Sequence, residues 1–189
     1  MTVGWSFGQA QDGVQITGGR SGPTTKGADM QATADTTTRF DIAALLLRAA
    51  IAAIFITHGA QKLFGVFGGG GLDATAQGMA GNGLKPGMFF AVLAGVTELG
   101  GGLLLLVGLL TPLAGLALAA VMVMAIITVT WPLGFVGARG AGYEYNLLLT
   151  VVALALAVAG PGRLSLDHRL GLDGSAGERI RRIRQLVSR

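Results

Sequence analysis

The sequence has no cysteine. That excludes disulfide frameworks, thiolate zinc sites, cysteine-ligated clusters and any mechanism that relays electrons through a thiol pair. Charge is also scarce: Asp, Glu, Lys and Arg make up 13% of the chain, against roughly 25% in a soluble domain. Leu99 to Ala138 is a forty-residue run without one charge, which a soluble domain of this size has no means of burying. The isoelectric point near 10.1 would ordinarily raise a nucleic-acid partner, but its source is local. Fourteen Lys and Arg against ten Asp and Glu give +4, and residues 161–189 alone hold seven Arg against three acids. Residues 1–160 balance at seven against seven, so the basicity belongs to a tail and no nucleic-acid partner is expected. What the 189 residues do have is apolar: 51% are hydrophobic and the mean hydropathy is +0.61. The class is an all-α, polytopic integral membrane protein.

A helix needs about 20 mainly apolar residues to cross a hydrocarbon core of roughly 30 Å. Four stretches qualify, at about 42–64, 87–110, 113–130 and 145–160, which predicts a four-transmembrane-helix bundle. Pro86 suits the first position of the second span, Thr111-Pro112 breaks the uncharged run, and Gly160-Pro161-Gly162 stops the fourth span. With four spans both termini share one side. That side has Arg20, Lys26, Arg39 and the tail arginines; the other has Lys62, Lys85 and Arg139. Basic residues near span ends favour the cytoplasm, so cytoplasmic N and C termini are expected. Eight of the twelve aromatic residues then fall near the outer face, as an interfacial belt or a packed cap.

Residues 1–40 are rich in Gly, Thr, Gln and Ala and lack an apolar run, so a disordered extension is expected there. No secretory signal is evident, and the first span would serve as an uncleaved anchor. Met30 heads a more compact stretch, which leaves residues 1–29 open to being an over-extended reading of the gene. Residues 172–189 form a basic tail in which Arg179, Arg181, Arg182 and Arg184 alternate with apolar residues at helical spacing. Such a helix would lie on anionic lipid head groups, each arginine contributing about 1 kcal/mol; a solvated topology signal is the plainer reading.

Ionisable residues at membrane depth cost at least ~2.5–3.5 kcal/mol at a helix centre and normally face a partner in the bundle interior. Steps of about 100° put Arg48, His58 and Lys62 within one arc of roughly 80° on the first helix. Aligning the outer ends of the first two spans brings Arg48 and Glu98 to similar depth, so an intramembrane ion pair between them is expected. His58 and Lys62, with Glu144, Tyr145 and Asn146 at the start of the fourth helix, form a candidate outer polar pocket. That pocket suits an oxygen-bearing ligand such as a quinone head group. The plainer reading is polar glue between helices, with Lys62 snorkelling to water. Met122 and Met124 read as core filling. No metal site, nucleophile–base pair or phosphate loop is indicated, and Gly68 to Gly71 follows no strand.

Several of these residues fall into motifs. His58-Gly59-Ala60-Gln61-Lys62-Leu63-Phe64-Gly65, Glu98-Leu99-Gly100-Gly101-Gly102-Leu103, Tyr145-Asn146-Leu147 and Gly160-Pro161-Gly162-Arg163-Leu164-Ser165-Leu166-Asp167 occur in that order between about Arg39 and Gly171. Together they resemble the DoxX family. The resemblance implies a four-helix membrane domain over 41–171 in a bacterial inner or plasma membrane. It also implies an association with quinone-linked sulfur or oxidative-stress redox systems, the family being named from a small subunit of a thiosulfate:quinone oxidoreductase. By position it directs attention to Arg48, His58, Lys62, Glu98, Asn146, Arg163 and Asp167, with Arg163 and Asp167 expected to pair locally at the end of the fourth helix.

The leading functional reading is an accessory membrane subunit of a redox assembly, with other membrane or cytoplasmic subunits as partners and homo-oligomers open. The alternatives are a small transporter or channel-like protein lined by Arg48, Glu98 and His58, or a scaffold that recruits cytoplasmic partners through its tail.

Overall fold

A computed structural model describes residues 25–137 and 142–173, with side chains described from residue 36 onward. The chain forms two units, Met1–Asp35 and Thr36–Arg189. In the first unit the described backbone, residues 25–35, is helical.

All described secondary structure is helical, with no strand. Helix α1 runs Thr25–Phe64, α2 Gly71–Gly81, α3 Gly87–Val107, α4 Thr111–Ala125, α5 Glu144–Ala159 and α6 Leu166–Leu170. The first helix therefore begins well before residue 42, with helical backbone already over residues 25–40. This stretch holds no proline and one glycine; low hydropathy does not prevent a helix from propagating backward out of a span, where each added residue gains a hydrogen bond without a new nucleus. Three helical stretches are long and apolar enough to cross a membrane: Thr36–Phe64, Gly87–Val107 and Thr111–Leu133. A shorter apolar helix, Glu144–Ala159, accompanies them. Beyond Ala125, α4 continues as a π-helical turn, Ile126–Thr130, and a 3-10 turn, Trp131–Leu133. The loop expected after the first span contains α2, and α6 follows α5.

The surface is turned outside in relative to a soluble protein. Leu46, Leu113, Ile127 and Val158 are exposed, Val158 to 89%, on the outward faces of the apolar helices. The interior is built largely from small residues: Ala52, Ala91, Ala94 and Ala153 are buried, with Phe55, Leu105 and Leu118 filling the gaps. Lipid tails are as apolar as leucine, so helices gain by close backbone approach rather than by hiding apolar area. Glycine permits that approach. A Cβ at Gly59 would run into Leu99 N and Gly95 O, one at Gly102 would press on Ile56 and Ala52, and one at Gly115 would meet Ala153 O.

These contacts set the register of α1 against α3. Gly95 faces Leu63, Gly59 faces Leu99, and Gly102 faces Ile56. Glu98 consequently lies beside Gly59, one turn from Lys62, while Arg48 lies beside Gly108, whose Cβ position is occupied by Arg48 Nη1. The first turns of α3 pack on α2, where Gly87 fits against Ala76 O and Ala80. Tetraglycine Gly68–Gly71 is a close-packed reversal: Gly68 and Gly71 have positive φ, and a side chain at Gly69 would collide with the backbone of Gln61. Gln61 Nε2 closes that turn by donating to Phe67 O at 2.9 Å.

Candidate functional site

Two clusters of polar groups, each with a buried carboxylate, stand at opposite ends of the bundle. The first, at the α2 end, surrounds a cavity of about 250 Å³ whose walls include Ile54, Phe55, Met79, Ala94, Val121, Met122, Met124 and Leu149. Into this apolar space open His58 and Lys62 from α1, Glu98 from α3, Thr128 and Thr130 from the π turn, and Tyr145 and Asn146 from α5. Lys62 Nζ donates to Glu98 Oε2 at 2.5 Å. The Glu98 side chain is 2% exposed and that of Lys62 24%, so the lysine stem links a buried carboxylate to the rim.

This pair replaces the expected one between Arg48 and Glu98. Aligning the outer helix ends misplaced the register, because α3 begins beside α2 and has climbed past the end of α1 before the two meet. Glycine contact then puts Glu98 within reach of Lys62. Of the five residues grouped as an outer pocket, His58, Lys62, Tyr145 and Asn146 line the cavity and Glu144 does not. Glu144 Oε2 is instead buried, with no hydrogen-bond partner among the described residues, close to Gly142.

His58 Nδ1 lies 3.0 Å from Ile54 O. A carbonyl only accepts, so Nδ1 carries the proton and Nε2 of the neutral ring is an acceptor. The His58 and Tyr145 rings stand 6.3 Å apart at 38°. Asn146 Nδ2 donates to Thr130 Oγ1 at 3.3 Å, a cross-helix hydrogen bond of the glue type, and Thr128 Oγ1 returns to Met124 O at 2.8 Å. The extra residue of a π turn re-aims the side chains that follow it, and such turns recur at functional sites. Here the turn puts Thr128, Val129 and Thr130 on the cavity wall.

The second cluster, at the α6 end, spends its carboxylates on backbone N–H groups. Asp167 Oδ1 accepts from Leu110 N at 2.8 Å and Oδ2 from Thr111 N at 2.9 Å, which caps the start of α4 from a residue more than fifty positions away. Asp167 N donates to Gly108 O at 2.9 Å. Arg48, fully buried, donates through Nη2 to Leu164 O at 2.6 Å, and the Asp167 carboxylate favours its charge without forming an ion pair with it. Arg48 Nε and Nη1 have no hydrogen-bond partner among the described residues. Asp41 Oδ1 accepts from Arg163 N at 2.7 Å. The expected local pair of Arg163 with Asp167 is therefore not formed: each carboxylate is taken by backbone N–H groups, and Asp167 faces Arg48. Tail residues Arg179, Arg181, Arg182 and Arg184 lie outside the described residues.

Asp41, Met79 and Ser165 were not anticipated. Asp41 had a signal: it precedes Arg48 by seven positions, two turns on the same helix face. Ser165 also had one, as a Ser ahead of a short helix; its Oγ accepts from His168 N at 3.2 Å, an N-cap. Met79 had none, since α2 itself was not expected. Among the described residues, no group of three or more His, Cys, Asp or Glu could hold a metal ion.

Comparison with known proteins places this architecture. The DoxX family profile matches residues 43–131. The chain is 38% identical over 128 residues to "Putative oxidoreductase CatD" of Bacillus subtilis, covering 68% of this chain and 87% of that protein. It is 33% identical over 129 residues to "Inner membrane protein YphA" of Escherichia coli, covering 66% and 88%. To "Uncharacterized membrane protein Rv3486" of Mycobacterium tuberculosis it is 32% identical over 145 residues, covering 70% and 83%. No solved structure matches the chain significantly. The profile takes in both α1 and α3, and with them Arg48, His58, Lys62 and Glu98, while the relatives are matched over most of their own length: the chain belongs to the DoxX family of membrane proteins.

Proposed function

We infer that this DoxX protein is an accessory membrane subunit of a quinone-linked redox assembly, and that the cavity at the α2 end receives the quinone head group. In this reading α1, α3, α4 and α5 all span a bacterial inner membrane, both termini are cytoplasmic, and the cavity lies toward the outer leaflet. The observation that carries it is the Lys62–Glu98 pair inside a largely apolar cavity at membrane depth. Buried charge is expensive there and marks a site more often than a strut, and a largely apolar cavity with a few convergent polar groups is the usual form of a small-molecule site.

The residues fit such a group. Lys62 would donate to a ring oxygen, the Tyr145 hydroxyl is free to serve a second, and Phe55, Met122 and Leu149 offer apolar faces to the ring. The quinone would supply reversible two-electron, two-proton chemistry; the chain's own groups bind it, orient it and exclude water. The printed name of the Bacillus subtilis relative includes the word oxidoreductase, which agrees with this reading.

The test is native extraction of the full-length protein followed by mass spectrometry of its bound lipids and proteins. A co-purifying quinone together with a redox-enzyme partner is the expected result. Protein that carries no quinone, and gains no thermal stability from added menaquinone or ubiquinone, would overturn the reading.

A further inference from the structure

Counting donors and acceptors around the cavity narrows the ligand. Glu98 uses Oε2 on Lys62, and its Oε1 has no hydrogen bond among the described residues. His58 donates through Nδ1 to Ile54 O, which leaves Nε2 as a bare acceptor. Asn146 commits its amide N–H to Thr130. The cavity therefore offers two unmatched acceptors, Glu98 Oε1 and His58 Nε2. The donors left to face them are the remaining N–H bonds of Lys62 and the Tyr145 hydroxyl, which can act either way. Two carbonyls of a quinone would satisfy the donors and leave Glu98 Oε1, on a side chain 2% exposed, without a donor; the exposed His58 carries no such cost. A buried acceptor left without a donor forfeits its full desolvation cost.

We propose that the site selects the hydroxylated form of its ligand: a compact aromatic ring whose O–H donates to Glu98 Oε1 while the same oxygen accepts from Lys62. The ligand class is a phenol or a quinol rather than the corresponding ether or quinone. Lys62 and Glu98 then act together as a reader of one hydroxyl, the carboxylate recognising its hydrogen and the ammonium its lone pair. His58 Nε2 is placed to take a second hydroxyl. Size agrees, since an apolar cavity of about 150 Å³ accepts benzene and about 250 Å³ admits two fused rings. This inference rests on reading the cavity as a ligand site and adds the oxidation state that it prefers.

The experiment uses the full-length protein in lipid nanodiscs and a redox-inert pair, naphthol and its methyl ether, with affinity read by calorimetry. Naphthol should bind about tenfold to a hundredfold more tightly, the range expected for one hydrogen bond to a charged acceptor. In Glu98→Gln the preference should fall to a few-fold. Should that variant fail to fold, infrared difference spectra of the wild-type protein decide: naphthol must perturb a carboxylate stretch that the ether leaves unchanged. Equal binding of the two rings, tighter binding of the ether, or binding of neither overturns the proposal. A quinone that co-purifies while naphthol shows no preference sinks only this inference. A clear naphthol preference with no bound quinone sinks only the redox reading.

Discussion

The two ends of the bundle hold the same kinds of charge and use them in opposite ways. At the α6 end, Arg48 and Asp167 are spent on backbone: one holds Leu164 O, the other both N–H groups that open α4. At the α2 end, Lys62 and Glu98 hold each other and leave an oxygen and several N–H bonds facing a cavity. Roughly 21 Å of helix α1 separates Arg48 from Lys62. The difference teaches that burial of a charge in a membrane bundle is not itself a sign of a ligand site. What distinguishes the ends is whether the buried carboxylate is saturated by backbone N–H groups, as Asp167 is, or keeps an oxygen beside a cavity, as Glu98 does.

The sharpest way to break this contrast is Asp167→Ala. It removes two bonds to the start of α4 and leaves Arg48 buried without its counter-charge, a situation that typically costs 3–5 kcal/mol. The apparent melting temperature in detergent should fall further than for any other single change here. A loss below about 1 kcal/mol, the worth of an ordinary surface pair, would show that the α6 end is not the fastening described. Arg48→Met should cost less, about 1–3 kcal/mol, because the Asp167 carboxylate it leaves without a cation still holds the two N–H groups that open α4. The double variant should be less destabilised than the sum of the two, since both remove the same interaction.

At the α2 end the expected effects are unequal by partner. Lys62→Met strands a carboxylate that is 2% exposed, so about 3 kcal/mol is expected. Glu98→Gln leaves a lysine that is 24% exposed and reaches water, for about 1–2 kcal/mol. Melting curves of both variants in the same detergent check the order. Equal losses would mean that the pair is held for stability alone, and the contrast between the two ends would lose its basis.

Much of the fold was legible because its signals are long. Forty uncharged residues, Pro86 ahead of α3 and the Gly160-Pro161-Gly162 stop read directly as span and boundary. Short elements were not: α2, with three glycines among Gly-Leu-Asp-Ala-Thr-Ala-Gln-Gly-Met-Ala-Gly, owes its helix to packing on α3 rather than to propensity. At the site, His58, Lys62, Tyr145 and Asn146 were legible as a group because helix periodicity and span ends place them together. Glu98 was recognised as a buried acid and assigned the wrong partner, since depth counted from span ends assumes that neighbouring helices start level. The information that they do not lies in Gly59, Gly95 and Gly102, whose partners are visible only once the helices are packed. Asp167 was read locally for the same reason: no sequence spacing announces a cap for a helix that begins fifty-six residues earlier.

The register that brings Glu98 to Lys62 can itself be tested by a pair of glycines on either side of it. Gly59 and Gly100 both belong to the α1 and α3 motifs, yet a Cβ at Gly59 would strike Leu99 N and Gly95 O, whereas nothing lies within 4 Å of one at Gly100. Backbone cannot yield as a flexible side chain does, so Gly59→Ala must push α1 away from α3, at about 1–3 kcal/mol. That displacement would also draw Lys62 from Glu98. Gly100→Ala meets open space in mid-helix, where alanine is favoured over glycine by roughly 0.5–1 kcal/mol, so it should be neutral or slightly stabilising. Both variants are single methyl additions to membrane helices, and melting temperature with naphthol affinity measures each. Only Gly59→Ala should lose both. If Gly100→Ala were the damaging change, α3 would present its other face to α1, and the pairing of Lys62 with Glu98 would fall with it.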